Sequence, residues 1–193
     1  MPRYPHDQRE QTRGRIVAAA AQASLEGGLG SVSVQSVMQR AGLTHGGFYA
    51  HFESREALLQ EALQSAARRK LDALLAHAQI QPNPLEAFVR GYLSRLHRDD
   101  PAGGCLLPGL SAEGARAGDE LRDVLDSSFQ VFCEAVAVLG PWLSAAQVQT
   151  LVSSMVGAVM LSRTLSDRAQ SDALLLNVRQ TLLALVLPPE HTG

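Results

Sequence analysis

All-α is the fold class this sequence predicts, on two observations: apolar residues recur at helical spacing almost throughout, and no segment sustains the two-residue alternation of a half-buried strand. Residues 1–5 form a Pro-containing arm. A first helix over about 7–27 carries Ile16, Ala19, Ala20 and Ala23 on one face, until Gly27, Gly28 and Gly30 stop it. Ser33 caps a short helix to Arg40, Gly42 breaks the chain, and Thr44 caps a third helix through about Phe52. Ser54 then caps a long helix bearing Leu58, Leu59, Ala62, Leu63, Leu71, Leu74 and Leu75, a length suited to carry movement between an N-terminal head and the remaining body.

Pro82 ends the connection that follows. Asn83 with Pro84 is a cap with proline at the first helical position, and Leu85, Phe88, Val89, Tyr92, Leu93 and Leu96 make one apolar stripe closed by Asp99, Asp100 and Pro101. The Gly103-Gly104 pair precedes a short segment, interrupted by Pro108, that runs to Ala117; the next helix, over 119–139, is ended by Gly140-Pro141. Its stripe is Leu121, Val124, Leu125, Phe129, Phe132 and Val136. Ser144 with Gln147 is a capping box for a helix to about Leu165, and a last helix over about 168–187 stops at Pro188-Pro189. That last helix is apolar around much of its circumference, including Leu174, Leu175, Leu176, Leu182 and Leu185, which is more than one core-facing stripe uses and predicts coverage by a second copy of the chain.

At 193 residues the chain is long enough to bury a substantial core without staples or metals. The net charge of -2 does not advertise a nucleic-acid binder, but the charge is unevenly spread: residues 1–54 hold five Arg against four acids, and residues 55–193 hold twelve bases against fifteen acids. Any DNA contact is expected in the first part. The two cysteines, Cys105 and Cys133, together with a polar, Pro-interrupted start in place of a secretory leader, fit a reduced, cytoplasmic setting. The most apolar run, 151–161, contains Ser153, Ser154 and Gly157 and falls short of the roughly 20 residues a bilayer requires, so no membrane span is expected.

The run from Ser33 to Phe52 has the arrangement a helix-turn-helix requires. Val34, Val37 and Met38 face inward, Gly42 permits the turn, and Leu43, Phe48 and Phe52 anchor the second helix so that its N-terminal residues meet base edges in a major groove. Gly46 and Gly47 leave the backbone bare for close approach. The candidate DNA-binding residues are Ser33, Arg40, Thr44, His45, Gly46, Gly47, Tyr49, His51 and Arg55, with His45 at a base edge and Thr44, Tyr49, His51 and Arg55 suited to phosphates. Core packing is the alternative for Tyr49, a solvated loop for His45, and a solvated arm for Arg3, Arg9 and Arg13, which otherwise reach a minor groove or phosphates.

This stretch resembles the TetR family of repressors, in Ala41-Gly42-Leu43-Thr44 and in the run Gly47-Phe48-Tyr49-Ala50-His51-Phe52-Glu53-Ser54-Arg55-Glu56-Ala57-Leu58, a motif covering about a quarter of the chain. The resemblance implies a DNA-binding head over 1–53 and an effector-binding and dimerisation body over 54–193. It also implies a homodimer through the last two helices, with double-stranded operator DNA and a small-molecule effector as partners. Ser24, Met38 and Arg55 depart from the family's usual residues, the first two as a possible small-for-large exchange in the head core.

In the body, Phe88, Tyr92, Leu96, Leu106, Leu107, Phe129, Phe132, Met155 and Val159 are candidate effector-binding residues, with ordinary core as the alternative for each. An aromatic content of 5% favours a small apolar or amphiphilic effector over a flat cation that wants an aromatic cage. Cys105, after two glycines at a helix start, is either a redox- or electrophile-responsive thiol or a small buried hydrophobe. His97 and Asp100 are read as solvated residues beside Pro101 in preference to metal ligands, because no second pair supports them. No catalytic order, phosphate loop or clustered metal spacing is present in the sequence, so neither an enzyme nor a cofactor or metal is expected.

Overall fold

The computed structural model describes residues 5–187, so Arg3 and the Pro188-Pro189 stop lie outside the described residues. Nine α-helices lie in these residues: α1 (Pro5–Gly27), α2 (Val34–Arg40), α3 (Arg55–Gln79), α4 (Pro84–Tyr92), α5 (Arg95–Asp99), α6 (Leu106–Gly114), α7 (Asp119–Leu139), α8 (Ala145–Thr164) and α9 (Arg168–Val186). Two 3-10 segments, Leu29–Ser31 and His45–Ala50, complete the set, and no strand occurs among the described residues.

Four of the expected caps form. The hydroxyls of Ser33, Ser54 and Ser144 and the carbonyl of Asn83 accept backbone N–H groups at the starts of α2, α3, α8 and α4, and Pro84 occupies the first turn of α4. α1 packs along the N-terminal half of α3, where its alanines allow close approach around Ile16, Leu58 and Leu59, all fully buried. α2 leans on α1 through Val37 and Met38, and Phe48 and Phe52 close the same core with stacked rings at 5.8 Å. Ser24 and Met38 are both buried, and the Ser24 hydroxyl is satisfied by donating to the Ala20 carbonyl at 2.9 Å. Truncating any of the large buried side chains here, for example Leu59→Ala, is expected to cost about 2–5 kcal/mol.

Two expectations are corrected. The segment after Thr44 is a 3-10 helix, not an α-helix, and the Thr44 side chain makes no cap bond. Its sequence, His45-Gly46-Gly47, places two poor helix formers in the first turn, which withholds α-helical propagation. The helix after Pro84 also divides: Leu93 leaves helical geometry at ψ 50°, and Ser94 re-caps the chain by accepting the His97 N–H at 3.2 Å. The restart rotates the register, so His97 and Arg98 turn inward and Leu96, expected on the apolar stripe, is 86% exposed.

The C-terminal half of α3 continues into the body, packing on α4 and α7, while α8 lies against α5, α6, α7 and α9. Buried Arg98 fastens α5 to α9, donating to Asp172 at 2.6 Å and to Ser171 at 2.7 Å, and Arg168 reaches back to Asp99 at 2.8 Å. α8 is long and apolar enough, by length and composition, to cross a membrane, yet it starts at the Ser144–Gln147 capping box and buries Leu151, Val152, Met155 and Val159 inside the body.

Candidate nucleic-acid interface and ligand cavity

The 3-10 helix His45–Ala50 presents its outer side to solvent. Thr44, His45 and Gly46 are exposed, a Cβ at Gly46 would meet nothing, and Tyr49 is 70% exposed with its ring edge resting on Phe48 at 5.2 Å. Gly47 lies over the Met38 side chain, and His51 is half-buried. The turn before it depends on Gly42, whose φ of 69° is open to glycine and costly for branched residues. Ser33 is spent as the α2 cap, and Arg40 pairs with Glu26 at 2.7 Å, holding that carboxyl below its usual range.

Three arginines named as DNA-contact candidates have internal partners that hold this face. Arg55 donates to the carbonyls of Val32 and Leu29, each at 2.6 Å, and pairs with Glu56 at 3.2 Å, so its guanidinium fastens α3 to the segment between α1 and α2. Arg9 donates to the Ala50 carbonyl at 2.7 Å. Arg13 donates to the His51 carbonyl, pairs with Glu61 on α3, and lies over the Phe52 ring at 4.1 Å. The cause is geometric: α1 passes close enough to the end of the 3-10 helix for the long side chains of Arg9 and Arg13 to reach the carbonyls of Ala50 and His51.

A cavity of about 980 Å³ opens between α3, α4, α6 and α7. Four candidate effector residues line it: Tyr92, Leu106, Leu107 and Phe132. Phe88, Met155 and Val159 are buried core behind it, Phe129 packs against that core, and Leu96 is on the outer surface after the break in the helix. Sequence reasoning missed the polar part of the wall, which includes Glu61, Lys70, Ser127 and Ser128. The signal was present in the spacing: Lys70 shares a helical face with Ala67, Leu71 and Leu74, and those three also line the cavity.

At the inner end, His97 is buried and not solvated as expected. Its Nε2 accepts the Cys105 N–H at 3.0 Å, so its Nδ1 carries the proton and donates to the Tyr92 carbonyl at 2.8 Å. Burial, aided by the charge of Lys70, lowers the imidazole to about 4 and keeps it neutral. Burial likewise pushes the Cys105 thiol up, against smaller downward pulls from the Tyr92 hydroxyl, the Leu107 N–H, Lys70 and Arg163. No group of three or more His, Cys, Asp or Glu side chains is placed to hold a metal among the described residues.

Besides the Arg13–Glu61 pair, a contact from α6 ties the cavity wall to the head. Glu113, on the helix whose start carries Cys105, Leu106 and Leu107, accepts the Leu29 N–H at 2.8 Å. Gly28 (φ 79°) lets the carboxylate in, since a Cβ there would collide with it.

The sequence model described as "Bacterial regulatory proteins, tetR family" matches residues 16–62, which span α1, α2, the 3-10 helix and the start of α3. The chain is 29% identical over 125 residues to the HTH-type transcriptional repressor DhaR of Mycobacterium sp. (strain GP1), covering 63% of this chain and 62% of that repressor, under two thirds of its length. It is 28% identical over 189 residues to an uncharacterised HTH-type transcriptional regulator of Mycobacterium tuberculosis, covering 89% of this chain and 94% of that one. Among solved structures, it is similar to E. coli NemR in its reduced form (TM-score 0.79, 21% identity, 93% of this chain and 98% of that one). A TetR transcriptional regulator from Chloroflexus aurantiacus has a TM-score of 0.76 at 25% identity, covering 93% and 96% of the two chains. The helix-turn-helix signature, the all-helical architecture and these likenesses together support a TetR-family transcription regulator.

Proposed function

We infer that this regulator is a repressor that binds a near-palindromic operator as a homodimer and lets go when a small-molecule effector fills the cavity between α3, α4, α6 and α7. The observation that carries the reading is physical continuity. The exposed 3-10 face is held by Arg13, Arg13 is held by Glu61, and Glu61 stands at the cavity wall. The helix carrying Leu106 and Leu107 grips the head separately through Glu113.

In this reading His45 meets a base edge, Thr44, Tyr49 and His51 serve phosphates, and Gly46 and Gly47 allow close approach. Arg40 and Arg55 set the shape of the head from their internal partners. The half-sites lie about 34 Å apart or at a comparable groove-matched spacing. Exposed Met160, Leu161 and Leu165 on and beside α8, with Leu176 and Leu185 on α9, support pairing through these two helices. The repressor DhaR, similar over part of its length, supports the direction of control. Release requires tighter effector binding to the DNA-incompetent state, by about 1–3 kcal/mol for a typical coupling.

A second reading, release by an oxidant or electrophile at Cys105, is favoured by one observation: this thiol lines the cavity. The NemR structure is described as a reduced form, which fits a redox question. Burial opposes the thiolate, so the noncovalent reading is preferred. Selection of bound fragments from the source genome, followed by titration of the full-length protein on the recovered site, tests the function. A palindromic site bound by a dimer supports the reading, and binding only to random DNA contradicts it. Release by mild oxidants that disappears in Cys105→Ser but persists in Cys133→Ser selects the covalent route.

A further inference from the structure

The cavity's polar groups have a sign, and the sign names a class of ligand. Lys70 lines the cavity half-buried, without an ion pair or hydrogen bond, in a position where burial already works against its charge. Asp100 acts on it only at a distance, and its carboxylate accepts the Gly103 N–H at 3.0 Å. Near the same end, the Tyr92 side chain is fully buried, lines the cavity, and leaves its hydroxyl with no geometric hydrogen-bond partner beyond its proximity to the Cys105 thiol. Burial pushes that phenol well above its ordinary range, so it remains a donor.

The remaining charges on the wall do not cancel this arrangement. Glu61 is paired with Arg13, Arg68 and Asp72 line the cavity as exposed side chains of opposite charge, and Arg163 adds positive potential from behind while donating to the carbonyls of His97 and Arg98 at 2.9 and 3.1 Å. An unpaired cation and an orphaned buried donor are both costly to keep, and both are relieved by one anionic oxygen acceptor. Leu71, Leu74, Leu106, Leu107 and Phe132 supply an apolar wall for the rest of the molecule.

We propose that the cavity takes an amphiphile with a carboxylate head, Lys70 supplying the counter-charge and Tyr92 a hydrogen bond, with the apolar tail along α3 and α6. The proposal rests on the effector-cavity reading and narrows it to a ligand class.

Calorimetric titration of the full-length protein with C6–C12 alkyl carboxylates, the matched primary alcohols and the matched alkyltrimethylammonium ions tests it. At equal tail length the carboxylate is expected to bind roughly ten- to a hundredfold tighter than the alcohol, as for a hydrogen-bonded charge, and the trimethylammonium ion weakest. Lys70→Met removes that preference, Lys70→Arg retains most of it, and Tyr92→Phe lowers carboxylate affinity several-fold while sparing the alcohols. Lys70→Met is also expected to raise the melting temperature of the ligand-free protein, since it removes an unpaired, half-buried charge. Failure of every carboxylate to bind, equal affinity across head groups, or a melting temperature lowered by Lys70→Met overturns the proposal. The cavity reading is judged separately by Val131→Trp at the mouth: loss of binding for all probes upholds the cavity even if head-group selectivity is absent, and unchanged binding of every probe removes the cavity and the proposal with it.

Discussion

Replacing Glu113 by Ala removes the one direct hydrogen bond that, among the described residues, joins the cavity-lining helix α6 to the 3-10 turn at Leu29, while leaving both the cavity wall and the exposed 44–49 face untouched. The bond is a carboxylate accepting a backbone N–H at 2.8 Å, a kind worth about 1.5–3 kcal/mol when buried. Glu113 is half-buried, so solvent screening reduces this to about 1–2 kcal/mol, the expected loss of stability in urea unfolding. The same quantity bears on regulation. If this contact passes ligand occupancy from α6 to the head, losing it reduces the ligand's effect on operator affinity by roughly 5–30-fold, the equilibrium equivalent of 1–2 kcal/mol. Glu113→Gln, whose amide oxygen still accepts the N–H, is expected to keep most of the coupling. Exposed Glu120→Ala serves as the control for charge alone and should stay within about 0.5 kcal/mol of wild type. Fluorescence anisotropy on labelled operator, with and without ligand, gives the coupling. Wild-type stability together with a wild-type ligand response in Glu113→Ala would refute the reasoning.

Other outcomes follow from the same structure. Leu185→Glu, at a position 67% exposed on α9, is expected to yield monomers by light scattering and to lose operator binding without unfolding the chain, whereas Leu182, which is buried, would damage the fold when charged. His45→Ala is expected to relax base preference at one position per half-site, and Tyr49→Phe to weaken all sequences alike, read from a mutated-operator panel. For His97, folded at about 4 against an ordinary 6.5, the unfolded state binds the extra proton between those values. Stability therefore falls as pH drops from 6.5 toward 4, by up to about 3 kcal/mol, and His97→Gln should flatten that limb of the urea-unfolding profile.

The sequence made legible what is local and repetitive. Caps at Ser33, Ser54, Asn83 and Ser144 each mark a real helix start, because the signal is a side chain bonding a backbone N–H three residues away. The break at Leu93 was hidden because the apolar stripe continues in sequence to Leu96, while Ser94 re-caps the chain and turns the register. At the candidate site, the exposed residues 44–46 and 49 were readable from the motif. The fates of Arg9, Arg13 and Arg55 were not, since each is decided by a carbonyl or carboxylate far along the chain that lies within reach only after packing. The polar part of the cavity wall was missed for a related reason: despite the spacing of Lys70 beside Ala67 and Leu74, Lys70 and Glu61 read as ordinary charged positions on a long helix until α6 and α7 close over them.

The account stands on a DNA-binding face governed by occupancy of the cavity, and the most direct test is the ratio of operator affinity to random-DNA affinity at fixed salt, measured with and without saturating cavity ligand. The predicted ratio without ligand is at least about 10³, falling about 5–150-fold when ligand binds. In Val131→Trp the ligand should have no effect on it. A ratio near one without ligand, or a high ratio indifferent to any ligand shown to occupy the cavity, would contradict the account.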